Sequence, residues 1–267
     1  MGDGRPWRSS VPEPRRVRDS FGIGLYARRM RDTAPPRQLA FDLPLDPRYG
    51  AEDFLVSPSN EAAYGLIEAW PDWPDTVLLL NGPAGSGKSH LASIWATRAH
   101  AWTAPAAEVG GERVTHLISN GALVIEDVDR TQGRDEAALF HLLNLARERR
   151  TPVLLTASGP VEGFGLSVAD LRSRLRLAPG ATILPPDDAL LRAVLVKLFV
   201  DRQLVVDLTV VEALALRIDR SLARAREVVA ELDRAALGRG RRITKPLALA
   251  VLDRIGGAGD AVDPEDA

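Results

Sequence analysis

The sequence predicts a parallel α/β sheet flanked by helices, followed by a small all-helical domain. Three observations predict it. Leu78 to Ala92 reads as a buried strand, a glycine-rich turn and an amphipathic helix. Ala122 to Asp129 is a short apolar run ending in carboxylates, the pattern of a parallel strand buried on both faces. Beyond Pro185-Pro186-Asp187-Asp188 the patterning becomes wholly helical.

Composition bounds the partners. The 267 residues are 45% hydrophobic and 26% charged, the balance of a globular protein with proper cores. A net charge of −2 creates no strong global field toward nucleic acid or membrane. The absence of cysteine removes disulfides and thiolate metal sites and fits a reducing, cytoplasmic setting. No apolar run approaches the roughly 20 residues that span a bilayer, so no membrane partner is expected.

Residues 1–37 carry nine arginines against four acids, with scattered prolines and no apolar period, and read as a disordered leader. Organised sequence begins soon after Met30, which is expected to be the true translation start. Residues 38–50 follow as a peptide and linker. In Gln38-Leu39-Ala40-Phe41-Asp42-Leu43 apolar and polar residues alternate between prolines, so the segment is extended. Periodicity leaves it as either a partner-binding peptide or an edge strand on the protein's own core.

Residues 51–184 form the α/β domain. Ser59 or Asn60 caps a helix running to Trp70. Val77 to Leu80 is the first strand, and the turn after it matches G-x-x-x-x-G-K-[ST] from Gly82 to Ser89. Gly82, Gly85 and Gly87 let backbone N–H groups approach a polyphosphate. The start of the following helix, Lys88 to Ala101, adds its positive end. Lys88 brings an ammonium to the β and γ phosphates, and the Ser89 hydroxyl is a ligand for Mg²⁺. A purine nucleotide is the expected ligand. Trp102 to Val109 is a strand leading into a loop, and a short helix passes through Val114, Leu117 and Ile118.

The acid-ended strand offers Glu126, Asp127 and Asp129 at the edge where nucleotides bind in open α/β sheets. One carboxylate there can hold Mg²⁺ and its neighbour can orient an attacking water. A helix through Ala138 to Leu145 leads to the strand Pro152 to Ser158, whose polar end lies beside the γ-phosphate position. A short helix containing Asp170-Leu171-Arg172-Ser173-Arg174 precedes a last strand, Ala181 to Leu184. Residues 185–256 form the helical lid, with helices at Ala189–Arg202, Leu208–Arg217, Ser221–Leu237 and Lys245–Ile255. Residues 257–267 are an acidic, frayed tail.

This order of elements resembles the AAA+ ATPases: an α/β P-loop domain with a parallel sheet flanked by helices, then a small all-α lid. Finer matches resemble the DnaA-type replication initiators and their Hda-type relatives, which inactivate the initiator. Phe54-Leu-Val-Ser-Pro-Ser-Asn60 is similar to the phrase preceding their nucleotide site, which implies that Asn60 lies near the adenine. Gly82-Pro83-Ala84-Gly85-Ser86-Gly87-Lys88-Ser89-His90-Leu91 resembles their Walker A motif, and Leu123-Val-Ile-Glu126-Asp127 their Walker B. By the same resemblance Ser158 is sensor 1, with Thr156 as fallback, Arg174 is the arginine finger and Arg224 is sensor 2. Gln38, Leu39, Phe41 and Leu43 resemble the short peptide that docks on the DNA polymerase III sliding clamp.

The resemblance covers about residues 38–256 and implies ATP or ADP with Mg²⁺ as cofactors. Neither the initiators' N-terminal domain nor their C-terminal helix-turn-helix has a counterpart here, which fits the Hda-type relatives. The implied function is negative regulation of replication initiation. Clamp, initiator DnaA and, through the clamp, DNA are the partners, and self-association stays open. One departure is Glu126, where the family carries Asp. The longer side chain loosens Mg²⁺ geometry, so a slow or latent ATPase holding ADP is expected. Two rivals share this core: an adaptor tethered to the clamp with a purely structural nucleotide, and a helicase or clamp-loader subunit.

Overall fold

The computed structural model describes residues 50–237 and 242–259, within one compact unit. The leader, the segment Gln38 to Leu43 and the tail beyond Gly259 lie outside the described residues. Five strands form one parallel sheet: β1 (Val77–Asn81), β2 (Trp102–Pro105), β3 (Leu123–Glu126), β4 (Val153–Ala157) and β5 (Gly180–Thr182), in spatial order β2-β3-β4-β1-β5. The helices are α1 (Glu61–Glu68), α2 (Lys88–Ala99), α3 (Val114–Ser119), α4 (Glu136–Arg149) and α5 (Ala169–Leu177), then α6 (Asp188–Asp201), α7 (Leu208–Ala215), α8 (Leu222–Leu237) and α9 (Lys245–Gly259). No helix among the described residues is long and apolar enough to cross a membrane.

Strand side chains alternate between two cores, because successive Cβ atoms point to opposite sheet faces. Val77, Leu79, Leu123, Ile125, Val153 and Leu155 pack with Val114 and Leu117 of α3, Leu139 and Leu142 of α4, and Leu171 of α5. Leu78, Leu80, Val124 and Leu154 face the other way, against Ile67 of α1 and Leu91 and Trp95 of α2. Both faces are therefore covered, which is why these strands read as unbroken apolar runs rather than alternating ones.

The lid has its own core. Leu191, Leu195 and Phe199 of α6 meet Val210 and Leu214 of α7, Ala225, Val228, Val229 and Leu232 of α8, and Val251 of α9. The buried positions of α8 recur three and four residues apart, the stripe of an amphipathic helix. Asp187 and Asp207 cap α6 and α7, accepting from the Leu190 and Thr209 amides at 2.7 and 2.9 Å.

Several boundaries differ from the sequence expectation. β5 begins at Gly180 rather than Ala181, pairing Gly180 with Leu79; a Cβ at Gly180 would overlap the Leu79 carbonyl, so only glycine lets the strands approach there. Helix α9 continues to Gly259 instead of ending at Ile255, since glycine weakens a helix by about 1 kcal/mol per residue without forbidding it. The first helix stops at Glu68, before the Trp70-Pro71 bond, and the region after β2 is a 3₁₀ turn over Ala106–Glu108 rather than extended chain.

Candidate nucleotide site

The glycine-rich loop leaves the C-terminal edge of β1 and returns as α2. The Gly82 amide donates to the Ala157 carbonyl at 3.2 Å, tying the loop's start to β4. Gly85 and Gly87 have φ values of 74° and 109°, left-handed conformations that carry a penalty for any residue with a Cβ. Gly87 precedes α2, and no side chain caps that helix, so no side chain takes up its first amides. Lys88 is buried, and its Nζ donates to the Gly82 and Pro83 carbonyls at 2.7 and 3.0 Å. Pro83, Ala84 and Ser89 are exposed. The Ser86 hydroxyl is buried without a hydrogen-bond partner among the described residues.

The acidic strand ends alongside. Glu126 closes β3, and Asp127 turns the chain with φ 57° while its amide donates to Thr156 Oγ1 at 3.1 Å. The Val128 amide donates to the Thr156 carbonyl at 3.0 Å, so β4 fixes the acidic turn through one residue. Burial pulls the Lys88 ammonium below its ordinary pKa, while the carboxylates of Asp127, Asp129 and Glu126 push it back up. Asp127 also pairs with Arg130 at 3.0 Å. Thr156, deep in β4, is the hydroxyl that contacts the acidic turn; Ser158 is exposed beyond the strand's end.

The donor set fits a magnesium nucleotide. A glycine cradle, a buried lysine, an orphaned hydroxyl and hard oxygen donors on Ser89 and Glu126 are the groups it requires. No cluster of three or more His, Asp or Glu residues suited to a metal occurs among the described residues.

Beside Gly87 a cavity of about 350 Å³ opens between the sheet domain and the lid. Its walls come from Phe54 and Leu55, from Leu190, Val194 and Leu198 of α6, and from Leu222 of α8. The Phe54 ring stacks on Tyr64 at 5.6 Å and meets the His90 ring edge-on at 5.1 Å. Asn60, expected near the adenine, lines this cavity, but its amide is engaged locally. Its Oδ1 accepts from the Ser57 amide at 2.9 Å and its Nδ2 donates to the Leu55 carbonyl at 3.0 Å. It shapes the 55–60 loop, leaving one donor hydrogen and one acceptor lone pair for anything else.

Side chains that the sequence reading did not single out join the lid to the sheet domain. Lys197 of α6 pairs with Asp53 at 2.6 Å and with Asp201 at 3.0 Å, and the Asp53 contact leads the effects that raise its pKa. The Leu222 amide donates to the Gly85 carbonyl at 2.9 Å, seating the start of α8 on the phosphate loop. Arg224 lies one turn into α8, its amide on Ser221 Oγ at 3.3 Å and its guanidinium on Glu227 at 2.9 Å. A signal for Lys197 was available: the chain holds only three lysines, and two of them, Lys88 and Lys197, are at this site.

Arg174 is elsewhere. It lines a groove between α4 and α5 with Phe140, Asp75 and Arg147, and its guanidinium sits over the Phe140 ring at 5.1 Å. The sequence reading also missed Arg134 and Glu136. The nearly buried Arg134 side chain donates to the Val128 and Phe164 carbonyls at 3.2 and 2.9 Å and to Glu136 at 3.0 Å. Glu136 in turn accepts from the Val168 and Ser167 amides at 2.8 and 2.9 Å, so the pair clips the acidic turn to the entrance of α5. Burial raises the Glu136 pKa, but hydrogen bonds from Val168, Ser167 and Arg134 outweigh it and hold the carboxyl below its usual range.

No family model matches the chain. In sequence it is similar to the chromosomal replication initiator protein DnaA of Thermomicrobium roseum, 27% identical over 214 residues, covering 71% of this chain and 45% of that protein. DnaA of Desulfotalea psychrophila is 30% identical over 189 residues, covering 60% of this chain and 39% of that protein. The chain thus spans less than half the length of the curated relatives it matches. Domain III of the Thermotoga maritima initiator DnaA superposes with a TM-score of 0.66 at 21% identity, covering 79% of this chain and 98% of that one. The fold is that of an AAA+ P-loop ATPase. The breadth of that AAA+ likeness is shown by the RuvB Holliday junction branch migration motor of T. maritima. It reaches a TM-score of 0.63 at 16% identity, over 81% of this chain and 75% of that one.

In this fold His90 links α2 to the chain entering the cavity, with Nε2 on the Gly50 carbonyl at 3.0 Å. Burial lowers its pKa below the ordinary value, partly offset by the Gly50 hydrogen bond, with Arg226 and Lys197 lowering it further and Asp53 raising it. A histidine that stays neutral longer in the folded state gives stability that is present above its unfolded pKa of about 6.5. That stability is lost as pH falls toward the folded pKa. Thermal unfolding followed from pH 7.5 to 5 should therefore show a smaller loss of Tm in His90→Gln than in wild type, since glutamine keeps the donor to Gly50 and removes the titration.

Proposed function

We propose that this chain is an ATP- or ADP-binding AAA+ regulator of replication initiation that stimulates ATP hydrolysis on a DnaA-type initiator. The observation that carries the reading is the cavity beside Gly87. A chamber of nucleoside size, with apolar walls and charged residues such as Asp53, Lys197 and Arg226, opens beside the lysine-bearing loop, in a chain similar in sequence to DnaA. The nucleoside occupies that chamber against Phe54, and the phosphates lie along Gly85 to Ser89, in keeping with the AMPPCP-bound DnaA of Aquifex aeolicus, whose fold this chain shares at a TM-score of 0.61 and 18% identity. Lys88 and the α2 amides bind and orient the phosphates. Ser89 and Glu126 would hold Mg²⁺, which neutralises phosphate charge when bound. Asp127 would accept a hydrogen bond from an attacking water, and the Thr156 hydroxyl fixes the turn that carries it.

Slow turnover of the chain's own nucleotide follows from two features: Glu126 in place of the shorter acid, and Asp127 already engaged by Arg130. Under this reading Arg174 acts in trans on the partner's triphosphate, Arg224 contacts the chain's own nucleotide from the lid, and Gln38, Leu39, Phe41 and Leu43 dock on the sliding clamp. The module then delivers the finger to initiators near clamp-loaded DNA. The rival adaptor reading, with a structural nucleotide and no stimulation, draws on the same slow site.

Three measurements test this. Lys88→Ala should abolish ADP binding in calorimetry and remove the ligand-induced rise in Tm, which at one hundred times Kd reflects about 2.7 kcal/mol. Leu39→Ala combined with Phe41→Ala should lose capture by the clamp in a pull-down while keeping ADP affinity. Arg174→Ala should retain both ADP and clamp binding yet lose the conversion of initiator-bound ATP to ADP, because arginine fingers contribute about 10³–10⁵ in rate. Near-normal conversion by that protein would leave the adaptor standing.

A further inference from the structure

The guanidinium of Arg174 is held by a ring, whereas two arginines near it, Arg147 and Arg176, are held by acids. In the same groove Arg147 is paired with Asp75 at 3.1 Å, and Arg176, two residues along α5, is paired with Glu162 at 3.1 Å. Arg174 has no ion pair among the described residues, although Asp75 and Asp170 also line the groove. It rests instead over Phe140 at 5.1 Å. A cation on an aromatic face is attracted by the ring quadrupole without using its N–H groups, so all five donors of the planar fork remain for an incoming anion.

The ring belongs to a helix that also fixes where α5 begins. Phe140 and Glu136 lie four residues apart on α4, one turn on the same face. Glu136 accepts from the Val168 amide at 2.8 Å immediately before α5, and Arg134 locks that carboxylate at 3.0 Å. One face of α4 thus sets both the start of α5 and the resting place of a side chain in its second turn.

We propose that Phe140 is a positioning residue for Arg174: its ring is a shelf that presents an unspent guanidinium to the polyphosphate of a partner ATPase. The proposal rests on the reading that Arg174 acts in trans. An acid at this position would spend the charge, and an aliphatic side chain would leave four rotatable bonds free. The ring restrains the side chain while leaving the fork open.

The experiment compares Phe140→Leu, which keeps apolar volume but removes the π face, with Phe140→Tyr, which keeps both. All are measured in the full chain beside wild type and Arg174→Ala. The first readout is the Arg174 Nε–H resonance, assigned by its loss in Arg174→Ala. Phe140→Leu should lose the ring-current shift and Phe140→Tyr should keep it. The second readout is stimulated ATP hydrolysis on a DnaA-type initiator. Phe140→Leu should fall about two- to tenfold, the range a cation–π contact supports, with ADP affinity and Tm near wild type, and Phe140→Tyr should recover. An unchanged Arg174 resonance in Phe140→Leu overturns the shelf. So does a lost shift with full stimulation, provided that Arg174→Ala is inactive. Wild-type stimulation by Arg174→Ala overturns the reading in trans and the proposal with it.

Discussion

Strand β1 is hydrogen-bonded on both sides, to β4 through Val77–Val153 to Asn81–Ala157 and to β5 through Leu79–Gly180 to Asn81–Thr182. Everything at the candidate site inherits its geometry from that pairing. With β4 between β1 and β3, the parallel register brings the ends of three strands to one edge, and the glycine loop, Thr156 and the Glu126–Asp127 turn meet there. The cores on the two faces hold the register, because a one-residue slip would exchange the faces of every strand side chain. Gly180 is part of the same constraint, since β5 can close on Leu79 only where no Cβ intervenes.

At that edge backbone does most of the positioning. Gly82 is tied to Ala157, Val128 to Thr156, Leu222 to Gly85 and Leu184 to Ser59, all through main-chain hydrogen bonds. Rigid amide geometry tolerates little drift, which suits a site that binds by directing N–H groups at phosphate oxygens. Side chains add charge where it has been desolvated. Lys88 is buried among carbonyls with three carboxylates nearby, and Asp129 has a buried oxygen without a partner.

The lid closes the cavity through a few contacts of different kinds. The Lys197–Asp53 pair and the seat of α8 on Gly85 join two separate cores, and both contacts lie beside the chamber. Salt bridges of this exposure contribute little stability by themselves. Their consequence is alignment, and a ligand spanning the cavity would touch both domains at once. The clip of Arg134 and Glu136 connects the acidic turn to α5 through an ion pair at 3.0 Å and the hydrogen bonds around it.

The sequence by itself determined the α/β order, the phosphate loop and the acid-ended strand. Those features are local: the loop from Gly82 to Ser89 acts through consecutive backbone groups, and buried parallel strands are written as continuous apolar runs. Tertiary structure alone decided the rest. The cavity draws Phe54, His90, Lys197 and Leu222 from stretches up to 168 residues apart, and no period in the sequence links them. Thr156 rather than Ser158 meets the acidic turn because strand register decides which hydroxyl lies inside the sheet. Asn60 turns inward to hold its own loop, a choice made by the carbonyl of Leu55 and the amide of Ser57. Arg174 meets a ring instead of an acid because α4 and α5 pack with Phe140 beneath it, and only helix packing selects that pairing.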